Sequence, residues 1–80
     1  MKALVVLSQP NCNPCAMVKQ HLTELGVEYK SIDVTESPES AAQYGVMSVP
    51  VTLLIDDKAG EISRSIGFKP NELNEMLESL

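Results

Sequence analysis

Aromatic residues are scarce in this 80-residue chain. With no Trp, one Phe and two Tyr, aliphatic side chains must build its core. Cysteine is scarce too, and two are too few for the disulfide framework of a small secreted domain. Basic residues are outnumbered, with 6 Lys and Arg against 11 Asp and Glu. The net charge of −5 disfavours nucleic acid, which attracts a basic face, and anionic membrane surfaces. Long apolar runs are missing as well. Lys2 is followed by five apolar residues before Ser8-Gln9-Pro10. That is short of the roughly 7–15 of a secretory signal, and no stretch reaches the ~20 of a membrane span. The expectation is one domain over residues 1–80, monomeric and in the cytoplasm, where paired thiols are more often catalytic or metal-binding than structural. A chain this short buries only about 60% of its unfolded surface, so its stability margin is thin.

What is present is Cys12-Asn13-Pro14-Cys15, set between an apolar run and a helical pattern. Lys2–Leu7 reads as a central strand, apolar enough to be covered on both faces. The helix after the motif starts near Cys12 or Asn13, accommodates Pro14 in its first turn and ends at Gly26. Val27–Val34 reads as a second, less buried strand. Ser37-Pro38-Glu39 signals a short helix with Ser37 as its N-cap, ending at Gly45. Val49–Ile55 reads as an apolar third strand and Glu61–Ile66 as its hairpin partner, with Ile62 and Ile66 as the apolar positions. Pro70 opens a last helix with Leu73, Met76, Leu77 and Leu80 at i, i+3, i+4 and i+7. The order β-α-β-α-β-β-α implies an α/β fold: a four-stranded mixed sheet covered by helices on both faces.

The motif's position assigns its chemistry. Disulfide exchange needs a thiolate, and a free cysteine with a pKa near 8.5 is mostly protonated at neutral pH. Unpaired N–H groups and the positive end of the helix dipole favour a thiolate at a helix N-terminus. Cys12 occupies that end as the solvent-facing, attacking thiol. Cys15 falls on one stripe with Val18, Leu22 and Leu25, so it faces the core, keeps its proton more firmly and resolves the mixed disulfide. Pro14 stiffens the ring. Lys19 and the acids Glu72, Glu75 and Glu78 read as solvated. His21 reads as a boundary residue, and Met17 and Met47 as either a substrate-facing rim or ordinary packing.

Three segments carry a resemblance to the thioredoxin fold's small redoxins. They are Cys12-Asn13-Pro14-Cys15, Tyr44-Gly45-Val46-Met47-Ser48-Val49-Pro50 and Ile66-Gly67-Phe68-Lys69-Pro70. The second is similar to the loop bearing the family's cis-proline, and the third to the segment before the last helix of NrdH-type redoxins. The resemblance implies a cis bond at Val49-Pro50, with Val49 offering backbone groups to an extended substrate. It implies a redox motif of Asn11, Cys12, Asn13, Pro14 and Cys15, with substrate contacts at Ser48, Val49, Pro50, Gly67 and Phe68. No cofactor is expected beyond the Cys12–Cys15 disulfide itself, and no metal.

The chain departs from the patterns it resembles in places that bear on mechanism. Thioredoxins carry Trp before the first cysteine, where Asn11 stands, and a buried acid on the preceding strand, where Val6 stands. Glutathione-using glutaredoxins carry a Lys near the position of Gln9 and a Gly-Gly before acids, whereas Gly67 precedes Phe68-Lys69-Pro70-Asn71. The reading that follows is a dithiol donor to protein disulfides, of the NrdH or thioredoxin kind. By the resemblance, thioredoxin reductase would be its reductant and ribonucleotide reductase one possible target. A glutathione-dependent glutaredoxin is the alternative within the same chemistry. A metal or iron–sulfur module built from two CxxC chains is the alternative outside it.

Overall fold

The computed structural model describes all 80 residues. Seven elements follow one another: β1 (Lys2–Ser8), α1 (Asn13–Glu24), β2 (Lys30–Asp33), α2 (Pro38–Tyr44), β3 (Val51–Asp56), β4 (Gly60–Ile66) and α3 (Pro70–Glu78). The strands form one sheet in the order β2-β1-β3-β4. β1 and β2 run parallel, joined by α1, while β1–β3 and β3–β4 are antiparallel. The uninterrupted apolar run of β1 is thereby explained, since a central strand has no solvated face.

Alternation along the strands sorts the core into two layers. Leu4, Val6 and Leu54 pack with Val18 and Leu22 of α1 and with Leu73 and Met76 of α3. Val5, Leu7, Val51 and Leu53 face the other way and are covered by Ile32, Val34, Tyr44 and Val46. Two helices therefore cover one face, and α2 with its flanking loops covers the other. Arg64 fastens α2 to the edge strand. Its guanidinium donates to the Tyr44 carbonyl at 2.7 Å and to both oxygens of the Glu61 carboxylate at 2.6 Å.

Several boundaries differ from the sequence reading. The second strand is shorter than Val27–Val34, because pairing with β1 begins only at Val5 opposite Lys30. Val27 and Tyr29 instead pack beside the first core layer from a loop. Ser37 sits at the N-cap of α2 but makes no side-chain bond there, so Pro38 and Gly45 alone punctuate that helix. Leu25 lies beyond the last turn of α1 and is half exposed, as is Leu80 after α3.

The apolar reading of β4 also changes. Ile62 and Ile66 are 44% and 50% exposed, and the buried residue of that strand is Ser65. The register steps from Leu54 opposite Ser63 to Ile55 opposite Glu61, so Ile62 is the extra residue of a bulge. No helix is long and apolar enough to cross a membrane.

Candidate active site

The end of β1 delivers the chain to the N-terminus of α1 through one unusual residue. Asn11 has φ +58, a left-handed conformation that Asn accepts more readily than other residues with a side chain. Cys12 follows in extended backbone as the N-cap, with Pro14 in the first turn. The Cys12 carbonyl accepts from the Ala16 N–H at 3.1 Å, the first i→i−4 bond of the helix, and Pro14 lies in the first turn, where a missing N–H costs no helical bond. The Cys12 Sγ accepts from the Cys15 N–H at 3.2 Å. A sulfur thus fills the capping role that Ser or Asp oxygen fills elsewhere.

Cys12 and Cys15 are joined in a disulfide with Cα atoms 5.2 Å apart. Their surroundings differ in the way the helical phase predicts. Cys15 is 3% exposed, and Cys12 is only partly covered. One sulfur is open to an incoming group and the other is enclosed by protein. Asn13 and Pro14, between them, are exposed.

Two further segments reach the same end of the sheet. Leu7 pairs with Val51 and Val51 with Ile66, so the residues beyond each pair emerge beside the motif loop. Those are Gln9 to Cys12, Ser48 to Pro50, and Gly67 with Phe68. The Val49-Pro50 bond is cis, as the resemblance implied. The Gly67 N–H donates to the Pro50 carbonyl at 2.8 Å, tying two of the three segments together. Gly67 has φ +82, so a residue without a side chain suits that turn.

The rim of this end is apolar and open. Met47 is fully exposed and Met17 nearly half so, so ordinary packing does not account for Met47. Gln9, Val34, Val46, Met47, Ser48 and Val49 line an open groove of about 330 Å³. On the other side, Phe68 meets His21 edge to face at 6.0 Å, and the His21 Nε2 lies 3.0 Å from the Asn74 Oδ1. His21 is a boundary residue that joins α1 to α3. A larger cavity of about 600 Å³ lies elsewhere, between Lys2, Leu4, Tyr29, Lys30 and Leu80, at the opposite end of the sheet.

Asp33 closes β2 by accepting from the Thr35 hydroxyl and backbone N–H at 2.6 and 2.8 Å, which holds its carboxyl below the usual range. The Arg64 guanidinium does the same for Glu61.

Sequence reasoning missed two polar features. Thr52 is wholly buried in a strand read as apolar throughout, and its hydroxyl has no hydrogen-bond partner within the protein. Glu72 is not simply solvated: its carboxylate accepts from the buried Ser65 hydroxyl at 2.7 Å. A Thr within Val51-Thr52-Leu53-Leu54 was the visible signal for the first. Nothing in the sequence signalled the second, because it depends on α3 lying over β4.

Comparisons with known proteins agree with this geometry. The glutaredoxin family model matches residues 4–59. The SPbeta prophage-derived thioredoxin-like protein YosR of Bacillus subtilis is 53% identical over 77 residues, covering 96% of each chain. Thioredoxin of the same organism is 44% identical over 70 residues, which span 79% of this chain and 65% of that one. Among solved structures, oxidised mitochondrial thioredoxin 3 from Saccharomyces cerevisiae superposes with a TM-score of 0.85 at 31% identity. That match covers 99% of this chain and 78% of the yeast one.

Proposed function

Starting from the finding that this chain belongs to the glutaredoxin family of thioredoxin-fold redoxins and is a thiol–disulfide oxidoreductase, we propose that it is a dithiol electron donor to protein disulfides. Cys12 is the attacking thiol in this reading and Cys15 the resolving one. The unequal burial of the two sulfurs across one helical turn is the observation that carries it. In the reduced protein the Cys12 thiolate, favoured by the N-terminus of α1, attacks one sulfur of the substrate disulfide and expels the other. Cys15 then attacks Cys12 and releases the second substrate sulfur. Overall, two protein thiols become a disulfide and one substrate disulfide becomes two thiols. The exposed groove beside Val49 receives the substrate backbone in the manner of an added strand.

Thioredoxin reductase is the proposed reductant, and ribonucleotide reductase is one candidate target by the likeness to NrdH-type redoxins. A reducing compartment such as the cytoplasm suits a pair that must be returned to dithiols. The poor representation of glutathione-binding groups at Gln9 and Phe68-Lys69-Pro70-Asn71 favours this reductant. The glutaredoxin family match keeps glutathione as the competing reading.

Reduction of insulin disulfides separates the two. Turnover is expected with NADPH and thioredoxin reductase, whereas turnover only with NADPH, glutathione and glutathione reductase would overturn the assignment. Cys12→Ser should abolish reduction and Cys15→Ser should accumulate a mixed disulfide. Trapping by Cys12→Ser instead would reverse the two roles.

A further inference from the structure

The three buried polar residues of the chain are Ser8, Thr52 and Ser65, and all three carry hydroxyls. They are not scattered. Thr52 lies opposite Val6 on one side and Ser65 on the other, and residues directly opposite in antiparallel strands share a face. Val6 belongs to the layer under α1 and α3, so Thr52 and Ser65 face those helices too. Ser8 is two residues along β1 from Val6 and faces the same way.

α1 runs back along β1, because β1 and β2 are parallel and joined through it. Leu22 and Val18 accompany Leu4 and Val6 in that layer. One helical turn advances about 5.4 Å and two strand residues about 6.6 Å, so the steps nearly match. Cys15, three residues before Val18, therefore stands about 4.5 Å further toward the motif end, between the levels of Val6 and Ser8. By this stepping the buried cysteine comes to the level of the sheet where the hydroxyls cluster. Of these hydroxyls, Ser65 already donates to Glu72, while that of Thr52 is unpartnered with Cys15 held in the disulfide.

We propose that Thr52 Oγ1 is the hydrogen-bond partner of the Cys15 sulfur once the disulfide opens, supporting its thiolate during resolution. A buried hydroxyl without a partner is costly, and opening the disulfide supplies one. A threonine O–H can accept from the Cys15 thiol and, after rotation, donate to its thiolate. It does not remove the proton. The Cys15 proton passes to solvent or to the bound substrate. The thiolate attacks Cys12 Sγ, the Cys12–Cys15 bond forms, and the Cys12–substrate bond breaks. The substrate sulfur leaves with the electron pair and takes up a proton. Val6 places no carboxylate beside this thiolate, so the hydroxyl lowers the cost of its charge without adding a repelling one.

The inference rests on Cys15 being the resolving thiol, yet it is tested on Cys15 alone. In reduced Cys12→Ser protein, Cys15 is the sole thiol, and its ultraviolet thiolate absorbance is followed against pH. Thr52→Val in that background should raise the Cys15 pKa by about one unit, a tenfold loss of thiolate at a given pH below it. Thr52→Ser should titrate like the parent. A Val variant that titrates like the parent, or a Ser variant that follows Val, would overturn the proposal.

Urea unfolding of the oxidised protein gives a second reading, in which Thr52→Val should be at least as stable as the parent. A loss there would mean the hydroxyl is already paired in the disulfide state, which also overturns it. Should Thr52→Val fail to fold, Thr52→Ala is titrated with the same expectation. A reversal of the cysteine roles would show in the trapping experiment and leave this titration unmoved.

Discussion

The two faces of the sheet are covered differently. Under α1 and α3 the contact is deep, with Val18, Leu22, Leu73 and Met76 all closed off from solvent and the hydroxyls of Thr52 and Ser65 buried beside them. Over the other face, α2 has no buried residue of its own and is held by Arg64, Glu61 and the Tyr44 carbonyl. The redox pair belongs to the deep side through Cys15, whereas the groove beside Val49 belongs to the shallow side through Val34 and Val46. The difference teaches a division between the two faces. The enclosed sulfur lies on the deeply packed side, and the open groove is bounded by the side where α2 buries no residue.

The largest test of that contrast is truncation on each side. Leu22→Ala should cost about 3 kcal/mol of unfolding free energy and Tyr44→Ala about 1–2, measured by urea denaturation. Equal losses would break the comparison. Next comes the turn that links the shared strand β1 to the deep layer. Asn11→Val forces a β-branched residue into left-handed backbone and should cost about 1–2 kcal/mol, while Asn11→Gly should cost little.

Acid sharpens the contrast without mutation. Asp33 and Glu61 are held below their ordinary values of 3.8 and 4.5, by the Thr35 hydrogen bonds and by Arg64 respectively. The folded state therefore binds fewer protons than the unfolded chain in that range. Its stability is full above those values and falls as pH drops through the lowered ones. Both groups serve the α2 side, so below about pH 4 protection against amide exchange, relative to the intrinsic rate at each pH, should fall in α2 before α1. A uniform loss of protection would count against the division. The smallest effect is expected for Ile66→Thr, an exposed site on β4, which should change stability by no more than about 0.5 kcal/mol.

Much of this was legible in the sequence, for identifiable reasons. The helical phase of Cys15, Val18 and Leu22 records directly which side of α1 is buried, and Pro38, Gly45 and Pro70 mark helix ends by local sterics. The redox loop was legible because its chemistry depends on spacing within four residues. What escaped depends on partners distant in the chain. β2 begins where β1 offers a partner, not where Val27 and Tyr29 look strand-like. Ile62 and Ile66 face outward because a bulge and an uncovered edge change what alternation means. The hydroxyls of Ser8, Thr52 and Ser65 gain significance only when the register lays them side by side.

The bulge in β4 has a bearing on assembly. β4 is the outer strand of the sheet and presents a free line of backbone donors and acceptors flanked by two exposed isoleucines. A regular edge of that kind would template strand-to-strand growth between molecules. With Ile62 as an extra residue, the spacing of those groups is broken partway along, and a straight incoming strand meets them out of step. A substrate segment would add beside Val49 at the motif end, leaving the bulged edge closed to a second sheet. The irregularity acts as a gatekeeper against fibre-like stacking, on the side of the molecule away from the exchange chemistry.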